Sequence, residues 1–344
     1  MNKVTWRSPS NIALIKYWGK HGIQLPKNPS LSFTLSECHT TTELEWIPGS
    51  GKIQVFYDKE QKERFTARAR DFVSSIVDIF PFLDDYDLNF NTINSFPHSA
   101  GIASSASAMS SVALCLCSME EALTGEKLAQ ADFLQKASHV ARLGSGSAAR
   151  SLYGGFVSWG KSDKLPDSSD QYANPLPFKI HDSYKDMRDT VLIVDQGIKA
   201  VSSREGHHLM NRHPYASNRY QQANKNFNAL LKALKKGDDA AFIKIVESEA
   251  LGLHALMMSS TPPYILLRAN TIKIINRIRA FRELSCTTLC YTLDAGPNVH
   301  LLYHDRDKAE VEEFITEELL LYCQDNYRID NHIGEGPVKV ESRE

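Results

Sequence analysis

The chain predicts an α+β protein divided into two domains, and three observations lead there. Its 344 residues suit two domains and are enough to bury substantial cores. The first third alternates β-rich pieces with Gly/Pro/Ser turns before helical periodicity sets in. A polar stretch over 161–188, carrying Pro166, Pro175 and Pro177, then separates this part from one where helices mix with an antiparallel-looking strand pair. The expected division is 1–188 and 189–344.

Taken in order, residues 32–35, 41–46 and 52–57 have strand composition. Apolar residues over 61–79 recur as on a surface helix, and 84–94 returns to extended character. Helices are predicted at about 104–124 and 126–143, the second placing Leu128, Phe133, Leu134, Ala137 and Val140 on one face. A strand at 155–159 precedes the polar stretch. Beyond it come a strand at 190–194, helices near 215–235, 238–258 and 267–284, a strand pair at 287–293 and 299–303, and a helix at 306–323. No internal repeat or low-complexity tract is evident.

Composition narrows the function. Thirty-nine Lys+Arg against 41 Asp+Glu give a net charge of −2, which argues against a nucleic-acid or membrane-surface partner while permitting a local basic pocket. No stretch is apolar and long enough to span a bilayer, and the opening Met-Asn-Lys-Val-Thr-Trp-Arg lacks a signal-peptide core, so a soluble cytoplasmic protein is expected. Of six cysteines, Cys115, Cys117, Cys286 and Cys290 lie in apolar runs and are expected to be buried reduced thiols. Neither Cys-Leu-Cys nor Cys-x3-Cys has a histidine at zinc-site spacing. His207 and His208 are adjacent, hence on different faces, and a histidine metal site is not expected.

Five segments carry chemistry. Residues 97–108, Pro-His-Ser-Ala-Gly-Ile-Ala-Ser-Ser-Ala-Ser-Ala, run directly into an apolar helical segment. Small side chains let backbone N–H groups approach a ligand, and the helix start adds unpaired amides and positive dipole, so an anion such as phosphate is the expected guest. A close-packed turn is the competing explanation. Lys16-Tyr17-Trp18-Gly19-Lys20 brackets two hydrogen-bonding aromatics with lysines and suits a polyanion, or is simply a strand end with solvated lysines. Gly144-Ser-Gly-Ser-Ala-Ala-Arg150-Ser151 offers free backbone, hydroxyls and a guanidinium fork, of which a helix cap explains only one glycine. Ser202-Ser203-Arg204-Glu205 suits phosphate or an ordinary N-cap. Asp294-Ala-Gly-Pro-Asn298 ends a β-rich run, either as a hairpin turn or as a projected acid.

Together these motifs resemble the GHMP superfamily of small-molecule kinases and, within it, the mevalonate diphosphate decarboxylases. The matches are Asn11-Ile-Ala-Leu-Ile-Lys16-Tyr-Trp-Gly-Lys20 with Leu25-Pro-Lys-Asn28-Pro-Ser-Leu-Ser32, Pro97-x3-Gly101-Ile-Ala-Ser-Ser-Ala106, Gly144 to Gly155, and Asp294 to Asn298. They fall in order and cover almost the whole chain. The resemblance implies an N-terminal domain of ribosomal-protein-S5 type, a ferredoxin-like C-terminal domain, an active site between them, ATP, Mg²⁺ and a homodimer. The implied reaction turns mevalonate 5-diphosphate and ATP into isopentenyl diphosphate, ADP, phosphate and CO₂.

The resemblance also implies residue roles. Asp294 would hold the C3 hydroxyl and accept its proton, Arg150 would orient the substrate carboxylate, and Lys16 would support Asp294 and the moving phosphoryl group. Gly101, Ile102, Ala103, Ser104, Ser105, Ala106 and Ser107 would cradle the ATP phosphates, with Ser105 toward Mg²⁺ and Asn94 on the nucleotide side. Tyr17, Trp18, Gly19, Lys20, Ser145, Gly146, Ser147, Ala148, Ala149, Ser202, Ser203 and Arg204 would line the substrate, joined by Arg64 on the predicted helix. Departures from the family pattern are His98-Ser99 and Ile102 at the loop, Leu293 before the aspartate, and His207 where methionine is usual. They leave a mevalonate 5-phosphate decarboxylase or a mevalonate-type kinase as alternatives.

Overall fold

The computed structural model describes residues 2–97, 101–197, 201–285 and 287–341, so His98, Ser99 and Cys286 lie outside the described residues. The first half contains β1 (Lys3–Ile15), the small hairpin β2 (Lys20–His21) and β3 (Leu25–Pro26), β4 (Ser30–Pro48), β5 (Ile53–Tyr57) and β6 (Glu60–Gln61). Helix α1 (Glu63–Ser74), β7 (Tyr86–Asn94), α2 (Ser104–Thr124), α3 (Gln130–Gly144), β8 (Phe156–Trp159) and β9 (Ala173–Pro175) follow. The second half has β10 (Met187–Leu192), α4 (Ser203–Leu209), α5 (Ala216–Lys236), α6 (Asp239–Met258), α7 (Ala269–Leu284), β11 (Leu289–Thr292), β12 (Val299–His304), α8 (Lys308–Phe314), β13 (Arg328–His332) and β14 (Val338–Val340).

Two sheets organise the molecule. The first runs β14-β1-β4-β7-β5-β6, with β8 on β4 and β9 on β8; among the described residues only β5 and β7 pair in parallel. The second runs β11-β12-β10-β13 and is antiparallel throughout, a ferredoxin-like arrangement with the hairpin on one side of β10 and the last strand on the other. The α+β expectation holds.

Differences from the sequence reading have local causes. The strand-like pieces at 32–35 and 41–46 are one long β4, and the opening strand β1 carries too many polar residues to show a clean alternation. Ser8, Ser10 and Asn11 in β1 are nonetheless buried, because they bond to Ser110 of α2, the Ile102 carbonyl and Ser151. Helix α1 stops at Ser74, where the expected helix ran to 79, and the chain turns through backbone N–H bonds at Ser75 and Ile76. The helix expected to reach 323 ends as α8 at Phe314 and continues as short, differently wound turns to Tyr322. Within the 161–188 stretch, β9 packs back onto β8, so part of that stretch is sheet.

Three apolar clusters fix the layers. Leu44, Trp46, Leu88 and Phe90 of the first sheet pack on Leu114, Leu116 and Val140 of α2 and α3. Ile274, Ile278 and Phe314 cover the second sheet through Tyr291 and Leu301. Between the halves, Ile12, Leu14, Leu31 and Phe33 share one core with Phe227 and Leu230 of α5, Phe242 and Val246 of α6, and Val191 and Leu302. Each such buried side chain contributes roughly 1.5–3 kcal/mol of burial, so this shared core holds the two sheets together. The chain's end adds a strap: β13 belongs to the second sheet, Gly334 N–H donates to the Thr34 carbonyl at 2.7 Å, and β14 pairs with β1. The five described cysteines are all buried free thiols.

Candidate active site

The floor of the site begins where β1 leaves its sheet. Pairing with β4 shifts register between Ala13 and Ile15, and the chain departs at Lys16, which is only 2% exposed. Every polar part of Lys16 is engaged. Its N–H donates to Glu249 Oε2 at 2.9 Å, its carbonyl accepts from Asn28 Nδ2 at 3.1 Å and Arg219 Nη2 at 3.3 Å, and its ammonium donates to the Ala13 carbonyl. Burial pulls the ammonium down to about 8, against the opposing pull of the Asp294 and Glu249 charges.

Arg150 lies across from it, on a short 3₁₀ helix, Gly146–Leu152. Its Nη1 donates to Ser30 Oγ at 2.7 Å, and its Nε donates to Ser32 Oγ at 3.0 Å and Asn11 Oδ1 at 3.3 Å. The guanidinium sits 5.9 Å from the Trp159 ring centroid. Ser30 and Ser32 share one face of β4 because strand side chains alternate. Burial lowers Arg150 to about 10, with Tyr17 and Asp294 acting the other way.

Asp294 stands just past β11, on the hairpin to β12, as the turn reading expected. The hairpin is pinned from three sides. His254 Nε2 lies 3.1 Å from the Asp294 carbonyl, Thr271 Oγ1 donates to the Pro297 carbonyl at 2.7 Å, and Asn298 Oδ1 accepts from Val194 and Asp195 N–H. From this turn the half-buried carboxylate's charge acts on Lys16, Arg150 and His207. Four residues, separated by up to 278 positions of chain, thereby meet in one field.

The small-residue loop borders the same turn. A Cβ built on Gly101 would stand 3.8 Å from the Gly296 Cα, and both Gly101 (φ +81°) and Ala103 (φ +48°) adopt left-handed backbone. Ser10 Oγ from β1 holds the loop by the Ile102 carbonyl, and α2 starts at Ser104. Ser105 Oγ lies 3.3 Å from Ser145 Oγ, which lies 3.5 Å from Ser147 Oγ, a row of hydroxyls joining the two loops. Ser107 does not join that row. Its hydroxyl is fully buried, 2.6 Å from Thr40 Oγ1, which in turn donates to Asn94 Oδ1 at 2.8 Å, so Ser107 ties α2 to the sheet and Asn94 ties β7 to β4. Ala106, Ala148 and Ala149 are fully buried and the Ile102 side chain belongs to the shared core, so these four side chains pack within the protein. Gly146 has a packing reason: a Cβ there would strike the Tyr17 hydroxyl and Trp159 at 2.8 Å.

The rim is different in kind. Tyr17 packs edge-on to Trp159, its hydroxyl buried with no hydrogen-bond partner among the described residues, a donor aimed beside the hydroxyl row. Gly19, with φ +101°, donates its N–H to His207 Nδ1 at 3.0 Å, and the His207 ring lies 4.3 Å from Tyr17 and 4.6 Å from Trp18, centroid to centroid. Burial drives His207 down to about 3, so the imidazole is neutral and props the loop through its unprotonated Nδ1. Lys20 donates to Gln24 Oε1, and its ammonium is pushed down by burial and by Arg204. Arg68 is likewise lowered by burial, Arg64 and Arg204, so α1 and α4 point positive charge at a common region. Ser202 caps α4 by accepting the Glu205 N–H, as the plainer reading of that motif expected, while Ser203 and Arg204 are exposed.

Several neighbours of the candidate site residues escaped the sequence reading. Arg68 follows Arg64 by one helical turn, a spacing that could have flagged it. Glu249 interrupts the apolar stripe Ile245, Val246, Leu253 of α6, and a charge on such a stripe is the signal of a buried partner. Ser30 and Ser32 lay in the segment Leu25 to Ser32 that the motif match had marked, without a sign that they hold Arg150, and Arg219 gave no sign at all. Among the described residues no cluster of three or more His, Cys, Asp or Glu could hold a metal ion. Mg²⁺ takes hard oxygen ligands and keeps phosphate and water in its shell, so the exposed Ser105 hydroxyl beside Ser145 fits it without a carboxylate cage.

Comparison with known proteins agrees with this geometry. Residues 8–173 match the diphosphomevalonate decarboxylase-like N-terminal domain and residues 190–339 the mevalonate 5-diphosphate decarboxylase C-terminal domain. The diphosphomevalonate decarboxylase of Candida albicans is 29% identical over 88% of this chain and 85% of its own length. The crystal structure of mevalonate diphosphate decarboxylase from Staphylococcus aureus superposes with a TM-score of 0.84 at 27% identity, covering 99% of this chain and 98% of that one. A structure of MDDEF in complex with MVAPP, AMPPCP and magnesium shares the fold at TM-score 0.84 and 24% identity, over 99% of both chains. With both halves matched, the chain belongs to the mevalonate diphosphate decarboxylase family.

Proposed function

We infer that this protein is an ATP-dependent carboxy-lyase that converts mevalonate 5-diphosphate to isopentenyl diphosphate, with ADP, phosphate and CO₂ as the other products. The observation that carries this reading is the Asp294 carboxylate acting on both Lys16 and Arg150 in a buried pocket beside the small-residue loop. A tertiary hydroxyl leaves poorly, so it is phosphorylated first. Asp294 orients the C3 hydroxyl and takes its proton as the γ-phosphoryl group transfers in line. The C3–O bond then breaks with loss of phosphate, and the C1–C2 bond electrons become the new double bond as CO₂ departs. Arg150, held rigid by Ser30, Ser32 and Asn11, keeps the carboxylate aligned for that step. Lys16 stabilises negative charge on Asp294 and on the moving phosphoryl group.

The first unit, 1–188, supplies the nucleotide and substrate loops, and the second, 189–344, supplies Asp294. Backbone N–H groups of 101–107 and the hydroxyls of Ser104 and Ser105 receive the ATP phosphates. Ser105 would hold Mg²⁺, which when bound neutralises charge on the phosphates. Tyr17, Lys20, Ser145, Ser147, Ser203 and Arg204, with Arg64 and Arg68 behind them, receive the substrate diphosphate. His207 brings no charge to this pocket, so the cations present favour two phosphates over one. A homodimer and a cytoplasmic location complete the reading; no helix among the described residues is long and apolar enough to cross a membrane.

The test incubates purified protein with ATP and, separately, mevalonate, its 5-phosphate and its 5-diphosphate. The expected result is CO₂, phosphate and ADP released one-for-one with the diphosphate alone. ADP with a stable phosphorylated product would make the protein a kinase, and gas from the 5-phosphate would change the substrate.

A further inference from the structure

One buried ionic cluster has no part in the chemistry above. Glu249 on α6 is fully buried and Arg219 on α5 is 4% exposed. They form a two-pronged ion pair, Nη1 to Oε1 at 2.7 Å and Nη2 to Oε2 at 2.6 Å. Asn226 Nδ2 adds a bond to Oε1 at 2.7 Å, while Arg219 Nε has no hydrogen-bond partner among the described residues. Neither helix belongs to the sheet that carries Lys16. Both side chains nevertheless cross the shared core to its main chain, Glu249 taking the Lys16 N–H and Arg219 the Lys16 carbonyl.

Burying two charges is costly, and apolar residues of equal volume often fill such a place at least as well. An incompletely satisfied pair is therefore a poor device for stability alone, and its attachment to Lys16 supplies another purpose. We propose that Glu249 and Arg219 are positioning residues for the reaction, fixing the Lys16 main chain and balancing the field in which its ammonium faces Asp294. The proposal rests on the role assigned to Lys16 in the preceding section. Four charged groups act on that ammonium: Asp294 and Glu249 favour its protonated form, Arg150 and Arg219 oppose it. Burial is the larger influence and leaves the group poised near pH 8, where a change of neighbours is visible.

Glu249→Gln keeps the shape and can still accept the Lys16 N–H, but removes the charge. In a variant shown by thermal melting to be folded, kcat at pH 7.5 falls by at least about tenfold with KM for both substrates within about twofold. The alkaline limb of the kcat profile moves to lower pH, because the ammonium has lost an anion and keeps Arg219. Combining Glu249→Gln with Arg219→Gln removes opposite charges together and returns the limb toward its parental position while kcat stays low. A folded Glu249→Gln with parental kcat and parental limb overturns the proposal. Should that variant not fold, Arg219→Lys decides. It keeps the charge but loses the fork, so kcat drops by at least about threefold with the limb unmoved, and parental kcat is the contrary result. Lys16→Met, run alongside, separates the two readings: if it is active, the role of Lys16 itself fails, and if it is dead beside an unaffected Glu249→Gln, only the positioning role fails.

Discussion

The floor and the rim of this site solve opposite problems. Lys16 and Arg150 are each 2% exposed and tied by several hydrogen bonds to strands and helices. Lys20, Ser203, Arg204, Arg64 and Arg68 lie at or near the surface, and the cations among them crowd one another. Burial is the main perturbation at the floor, where it costs charge but removes the reorganisation that a solvated site would need during reaction. The rim keeps its cations in water until an anion arrives, which suits affinity and encounter more than the chemical step. On the proposed reading, buried and hydrogen-bonded charge would meet the reacting end of the substrate, and exposed charge its phosphate end.

Mutation can break this contrast, beginning with the largest effect. Asp294→Ala should lower kcat by about 10³-fold or more with ATP affinity nearly unchanged. A loss below about tenfold in steady-state assays would reduce the residue to a hairpin turn. Arg150→Lys should cost about 10²-fold in kcat, since an ammonium cannot reach Ser30, Ser32 and Asn11 as the fork does. If KM alone rose, Arg150 would belong with the rim. Arg204→Ala should do what the floor variants do not, raising KM for the diphosphate by about tenfold while kcat stays within about threefold. A fall in kcat matching Arg150→Lys would erase the distinction between floor and rim.

The smallest effect sharpens the boundary between the two. His207 belongs to the rim loop by contact and to the floor by burial. Its folded value of about 3 lies below the ordinary value of 6.5, so the unfolded chain binds a proton the folded one refuses. The stability associated with the neutral ring is complete above pH 6.5 and declines as pH falls toward 3. His207→Met should therefore lose less melting temperature between pH 7 and pH 4.5 than the parent. Equal losses in a calorimetric pH series would show that the ring protonates without penalty.

Legibility in the sequence followed the range of the interactions concerned. Gly101, Ala103 and Gly146 were recognisable because a run of small residues is a local signal of close backbone approach. The hairpin at Asp294 was equally plain from Asp-Ala-Gly-Pro-Asn. The partners of Ser107 and Asn94 could not be read ahead, because a hydroxyl or amide near a small-residue loop does not announce which way its helix or strand turns it. Here both turn toward Thr40, which lies more than fifty residues away from each. The hydrogen bonds from Arg150 to Ser30 and Ser32 span 120 and 118 residues, and no spacing rule reaches that far.

By itself, the order of residues determined the element types, the small-residue loops, the two-part α+β plan and the set of motifs that mark the family. Those features depend on backbone preferences and on periodicities of a few residues, which are present in the chain before it folds. Only the tertiary structure decided which hydroxyls are buried in the protein and which stay exposed, that Arg68 joins Arg204, and that Glu249 and Arg219 grip Lys16 from the other half of the molecule. Those outcomes depend on desolvation and on the meeting of charges distant in sequence, and both come into being only when the two sheets close on their common core.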